Sequence, residues 1–216
     1  MKGTPGAPRR FVKVAVAALL FAAPAHAQTD VTLRGFVDVG SQSFAAQRSF
    51  DAVLGGTRGP VFGGGVEVVL PQQIFVSLRA SRFRRTGQRV FAFNNELFNL
   101  GIPVTVTIAP VELIGGYRFN YRSRLVPYAG AGVGWHRYDE TSEFADANEN
   151  VTDRFTGFHV LGGTELRIAR WIGTAFDVEW ATVPHAIGDH PNSVSREFRE
   201  SNLGGVTVRV KLIVGR

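Results

Sequence analysis

The sequence predicts an all-β chain folded as an eight-stranded, antiparallel, up-and-down transmembrane barrel. Three observations carry this expectation. Polar and apolar residues alternate over long stretches, the connections between those stretches are short and long in turn, and no later apolar run is long enough for a spanning helix. The final stretch shows the alternation best. Val206, Val208, Val210, Leu212 and Val214 share one side of a strand, with Thr207, Arg209 and Lys211 on the other. An aliphatic face backed by charge suits a wall with lipid outside and a polar lumen inside.

Taken in order, residues 1–27 read as a cleaved secretory signal. Lys2, Arg9, Arg10 and Lys13 form a positive start, Val14 to Ala23 is a short apolar run, and Ala25-His26-Ala27 is a small-x-small cleavage site. Residues 28–216 then form one barrel domain. The signal carries four positive and no negative side chains, so its removal lowers the formal charge from +6 to +2. A basic chain is therefore no argument for nucleic acid, and that class is excluded. Arginine carries almost all the remaining positive charge, which suits fixed bidentate pairs with carboxylates. With no cysteine, the fold is not stapled by disulfides.

Eight strands are expected near Val31–Phe44, Pro60–Leu70, Ile74–Phe83, Val104–Phe119, Val126–Tyr138, Thr156–Ile168, Trp171–Thr182 and Asn202–Val214. Short turns fall at Pro71–Gln73, Asn120–Leu125 and Ala169-Arg170. Long loops fall at Ala45–Gly59, Arg84–Pro103, Asp139–Phe155 and Val183–Ser201. Tight periplasmic turns with longer outer loops are the habit of outer-membrane barrels, and an even strand number puts both mature ends in the periplasm. Each even strand also carries a glycine pair followed two residues later by a polar side chain: Gly64-Gly65 with Glu67, Gly115-Gly116 with Arg118, Gly162-Gly163 with Glu165, Gly204-Gly205 with Thr207. By parity the second glycine faces the lumen, where a narrow barrel needs room for long neighbours. A phosphate-cradling glycine loop would need a strand-to-helix setting, which Gly130, Gly132 and Gly134 lack.

Parity sorts the side chains into two faces. The outward set is aliphatic at mid-strand, for example Leu33, Val37, Val66, Val76, Leu113 and Val160. Outward aromatics gather near strand ends: Phe62, Trp135, Phe158 and Trp180 at the loop end, Tyr117 and Phe119 at the turn end. These are the places for interfacial girdles. The inward set holds Arg34, Asp38, Glu67, Arg79, Glu112, Arg118, Glu165, Arg167, Asp177, Glu179, Arg209 and Lys211, six positive and six negative. A balanced set neutralises itself, so a lumen ion-pair network is expected, with Glu67 paired to Arg79 across the first turn and Arg118 beside Tyr128. Eight strands enclose a lumen just wide enough for side chains to fill, which favours a plugged interior over an open pore.

The strands Pro110–Phe119 (PVELIGGYRF) and Val126–Trp135 (VPYAGAGVGW) resemble those of small outer-membrane β-barrel proteins of the OmpA/OmpW kind, and the likeness spans residues 28–216. It implies residence in the cell outer membrane, outer-membrane lipid and the barrel assembly machinery as partners, and, for OmpW-like relatives, passage of small apolar solutes. The chain departs from the pattern at its end: Val214-Gly215-Arg216 replaces the usual terminal aromatic residue.

Further candidates are weighed on their residues. Arg82 and Arg84 leave the third strand on the lipid side at headgroup height, where lipopolysaccharide phosphates or plain solvation would suit them; Arg85 and Arg89 follow. The acidic loop of Asp139, Glu140, Glu143, Asp146, Glu149 and Asp153 matches no calcium-loop spacing. His136 and His159 point inward around that loop, but two histidines are too few ligands for a metal, so no metal or cofactor is expected. Ser193, Ser195 and Ser201 share a loop with His185 and His190, yet no spacing fixes a catalytic triad. The expected role is non-enzymatic: structural, surface-interacting or narrowly transporting. A small-solute channel and a lipid-modifying barrel enzyme are the alternatives. A soluble lipocalin-like barrel, with its apolar face inward, is the competing fold.

Overall fold

In the computed structural model, residues 31–93, 96–120, 122–142, 150–188 and 193–215 are described. Eight strands run in chain order: β1 (Thr32–Phe44), β2 (Arg58–Val69), β3 (Ile74–Phe93), β4 (Glu96–Arg118), β5 (Leu125–Thr141), β6 (Val151–Arg167), β7 (Ile172–Thr182) and β8 (Gly205–Gly215). Each pairs antiparallel with the next, and β8 pairs back onto β1, closing the barrel. Among the described residues no helix is long and apolar enough to cross a membrane, which says nothing against crossing by strands.

The alternation of the sequence becomes the two faces of this wall. Leu33, Val37, Val160 and Phe176 are about half exposed on the outside, while Arg34, Asp38, His159 and Asp177 beside them are buried inside. A lipocalin-like arrangement would need the reverse. The outward aromatics Phe62, Trp135, Phe158 and Trp180 stand exposed at the loop end and Tyr117 and Phe119 at the turn end. Small inward residues make room for large ones. A Cβ on Gly163 would lie 2.7 Å from both Asp177 and Tyr128 side-chain atoms.

Two of the expected loops are corrected. Arg84–Pro103 is not a loop: β3 and β4 pair on to Phe93↔Glu96, with one irregularity between Gln88 and Val90. A strand needs only about 9–11 residues to cross a bilayer, as β7 and β8 do. The β3–β4 hairpin continues beyond that length because each strand satisfies the backbone groups of the other. Asp139–Thr141 and Val151–Phe155 are likewise paired strand.

The loop after β1 holds a helix, α1 (Gln47–Leu54), closed by Gly55 at φ 65° with its N–H on Asp51 O at 2.8 Å. The last loop holds one short turn, α2 (Val194–Glu197), capped by the Ser193 hydroxyl. Helix α1 lacks a side-chain cap of its own. Glu200 supplies one from the last loop, accepting from the N–H of Arg48 and from the N–H and hydroxyl of Ser49, at 2.6–3.1 Å. Phe50 and Leu54 of α1 pack with Phe44, Val61, Phe83 and Ile108 into an apolar cluster at the loop end of the barrel.

Candidate functional site

The lumen is built in tiers that follow the inward positions along each strand. Nearest the turns, Arg34, Glu67, Arg118 and Glu165 form a closed ring of four. Arg34 contacts Glu67 and both oxygens of Glu165 (2.9 and 3.0 Å), while Arg118 contacts Glu67 at 3.0 Å and Glu165. Arg167 lies 3.6 Å from Glu165 at its edge. One tier higher Lys211 pairs with Asp177, which also accepts from the Tyr128 hydroxyl at 3.1 Å. The lysine ammonium lies 5.2 and 5.5 Å from the Phe36 and Tyr128 ring centroids, a cation–π setting.

The tier nearest the loops is an open chain. Arg79 joins Glu112, at 2.5 Å, to Glu179. Arg209 continues from Glu179 (3.1 Å) to Asp38 (3.8 Å). His159 Nδ1 lies 3.2 Å from Glu179 and 3.7 Å from Glu112. Its Nε2 meets His136 Nε2 at 3.2 Å, with the rings parallel. The ligating atoms of Glu112, His159 and Glu179 converge. Arg79 occupies one oxygen of each carboxylate, and the other oxygen of each faces His159 Nδ1.

The expected Glu67–Arg79 pair is not formed. The register sets Ser77 opposite Glu67 and Gly65 opposite Arg79. Each charge instead finds its direct partner on its other side, Glu67 on Arg34 and Arg79 on Glu112. Arg118 does stand opposite Tyr128, its guanidinium 5.6 Å from the ring centroid.

The family model for the outer membrane protein β-barrel domain matches residues 14–204. The chain belongs to that family. As a member of it, the protein is an outer-membrane barrel. Among solved structures, a major outer membrane protein of Thermus thermophilus is similar at 8% identity and a TM-score of 0.54, covering 85% of this chain and 99% of that one. Neisserial surface protein A (11% identity, TM-score 0.49) covers 85% and 95%, and OprG of Pseudomonas aeruginosa (13%, 0.47) covers 86% and 92%. These similarities concern the fold alone. No curated protein sequence matches.

In the outer-membrane barrel the rim arginines divide. Arg82 and Arg84 are exposed on the outer face of β3. Arg85 turns to the loops, donating to Arg58 O at 2.6 Å, and Arg89 lines a small apolar cavity with Phe50, Leu54, Val106 and Tyr138. In the acidic connection, Asp139 accepts two bonds from Arg137 Nε and one from its Nη2 at 2.8–3.1 Å and one from the Thr152 hydroxyl at 2.9 Å. The Arg137 hydrogen bonds hold this carboxyl below the usual aspartate range. Glu143, Asp146, Glu149 and His190 lie outside the described residues, as does the 1–27 segment.

Sequence reasoning missed the Glu200 staple and the apolar cluster at the mouth. The second left a signal: Phe44, Val61, Phe83 and Ile108 carry inward parity yet are apolar. The first left none, because a carboxylate capping a helix about 150 residues away has no local pattern.

Proposed function

We propose that this outer-membrane barrel is a non-enzymatic, non-conducting protein whose role is structural and surface-interacting. One observation carries the reading: the charged tiers bury both Arg79 and Arg118 to 1% exposure, with Asp177 and Glu179 at 0% and 2%, and the loop end is covered by the α1 cluster. Eight strands leave side chains, not solvent, in the centre. His159, at 2% exposure, is enclosed by ion-paired carboxylates. The twelve inward charges then act together as a plug that fixes the barrel's cross-section. Residues 1–27 would be removed on export, and the assembly machinery would insert the rest.

On this reading the loop end carries the contacts, and Arg82 and Arg84 meet lipopolysaccharide phosphates. In planar bilayers the refolded protein is expected to show no steady conductance, and liposomes containing it no uptake of small apolar solutes. Steady channels, or uptake that needs the barrel, would establish the channel alternative instead. Hydrolysis or acyl transfer on lipid A would establish the enzyme class. Replacing Arg82 and Arg84 by Ala is expected to lower lipopolysaccharide co-purification; an unchanged yield would remove that contact.

A further inference from the structure

Arg137 of β5 and Arg154 of β6 stand directly opposite one another in the ladder, both exposed on the outer face. Like charges opposed across a strand pair destabilise it. Asp139 takes up one of the two, through its bonds to Arg137, so the trio keeps one net positive charge. The next outward pair toward the membrane is Trp135↔Thr156, followed by Val133↔Phe158 and Ala131↔Val160. Trp135 and Phe158 are 52% and 60% exposed. Two residues along a strand rise about 6.8 Å, so the column passes from an aliphatic surface through an aromatic girdle to a cationic rim within three steps. A groove of about 500 Å³ runs beside it, lined by Ala109, Val111, Trp135, Arg137 and Arg154. Ala109, opposite Arg137 on β4, is what keeps it open.

The geometry points to a binding site for one phosphorylated lipid on the outer face of β4–β6, its phosphate held by Arg137 and Arg154 and its acyl chain lying over Phe158 and Val160. The charge order selects the occupant: a free anion has no use for the apolar part of the column, and a neutral lipid none for the paired arginines. Arginine forks suit phosphate oxygens. Asp139, with Thr152 behind it, fixes the Arg137 guanidinium before any lipid arrives. The site rests on the membrane placement of this face but not on the closed lumen, and it is separate from Arg82 and Arg84 on β3.

Native mass spectrometry of the refolded barrel, titrated with bisphosphorylated lipid A, tests it. The unaltered protein is expected to hold the lipid about tenfold more tightly than R137Q/R154Q, the scale of one lost charge-assisted contact or more. R82A/R84A should keep this binding, and dephosphorylated lipid A should lose it on the unaltered protein. Equal affinity of R137Q/R154Q, equal affinity for the dephosphorylated lipid, or displacement by millimolar inorganic phosphate would each overturn the site. Heat-modifiable migration on a denaturing gel reports that the variant is folded. Should it not be, the comparison of the two lipids on R82A/R84A, which lacks the β3 arginines, decides. Bilayer conductance, unaffected by these rim changes, keeps a failure here distinct from a failure of the non-conducting reading.

Discussion

The tier of charge nearest the turns and the tier nearest the loops are made from the same side chains, yet they are wired differently. In the first, Arg34, Glu67, Arg118 and Glu165 close a ring in which every member meets two of opposite sign. In the second, Glu112, Arg79, Glu179, Arg209 and Asp38 form a chain whose two ends each make one close ion pair with a guanidinium. A ring has no end at which to lose a member cheaply. Removing any group from it leaves two opposite charges short of a partner in a low-dielectric interior, where an uncompensated charge is costly. The chain tolerates loss at its ends and not at its centre. Wiring, rather than the count of ion pairs, sets how much each residue matters.

That contrast is open to breakage. The largest effect is expected from Arg118→Met, which leaves Glu67 and Glu165 sharing Arg34: the loss is about 3–5 kcal/mol, read as a fall in the urea midpoint of unfolding from lipid vesicles. A midpoint unchanged from the unaltered protein would mean the ring contributes nothing. Glu179→Gln cuts the chain at its centre, between Arg79 and Arg209, and should cost roughly 1.5–3 kcal/mol in the same assay. Asp38→Asn acts at the chain's end, where the 3.8 Å separation is beyond hydrogen-bond range, and should cost less than about 1 kcal/mol. If Asp38→Asn proved as damaging as Arg118→Met, the distinction between ring and chain would be lost.

Two smaller effects sharpen the comparison by leaving the lumen alone. Glu200→Gln weakens the cap that the last loop places on α1 and should cost about 0.5–1 kcal/mol. Its signature is faster amide exchange at Phe50 to Leu54, with strand amides unchanged. At the rim, the Asp139 carboxyl should titrate below the ordinary aspartate range, and Arg137→Ala should return it upward, as followed by carboxyl carbon chemical shift. Because the shift is downward on folding, the small contribution of this contact is present above the ordinary value and is lost as pH falls through the folded one.

How much of this is legible follows from which residues speak locally. Leu33, Val37, Arg34 and Asp38 declare their faces by parity alone, since a strand's side chains alternate with a period of two. The rim aromatics and the cationic step at Arg82 and Arg84 are legible in the same way. Val90, Phe91, Leu97 and Phe98 read as loop from the sequence because a bilayer's thickness bounds only the part of a strand that spans it; pairing within the hairpin, not lipid, is what sustains those residues.

By itself the sequence determined that this chain has two chemically opposed faces and that its inward charges sum to zero, because alternation and composition are properties of the linear order. Only the tertiary structure decided who pairs with whom. Arg34 (β1) reaches Glu165 (β6), and Arg79 (β3) reaches Glu179 (β7), across the lumen rather than along the ladder. Closure of β8 onto β1 and the stagger of each register bring those groups to one height, and no local stretch of residues encodes that height.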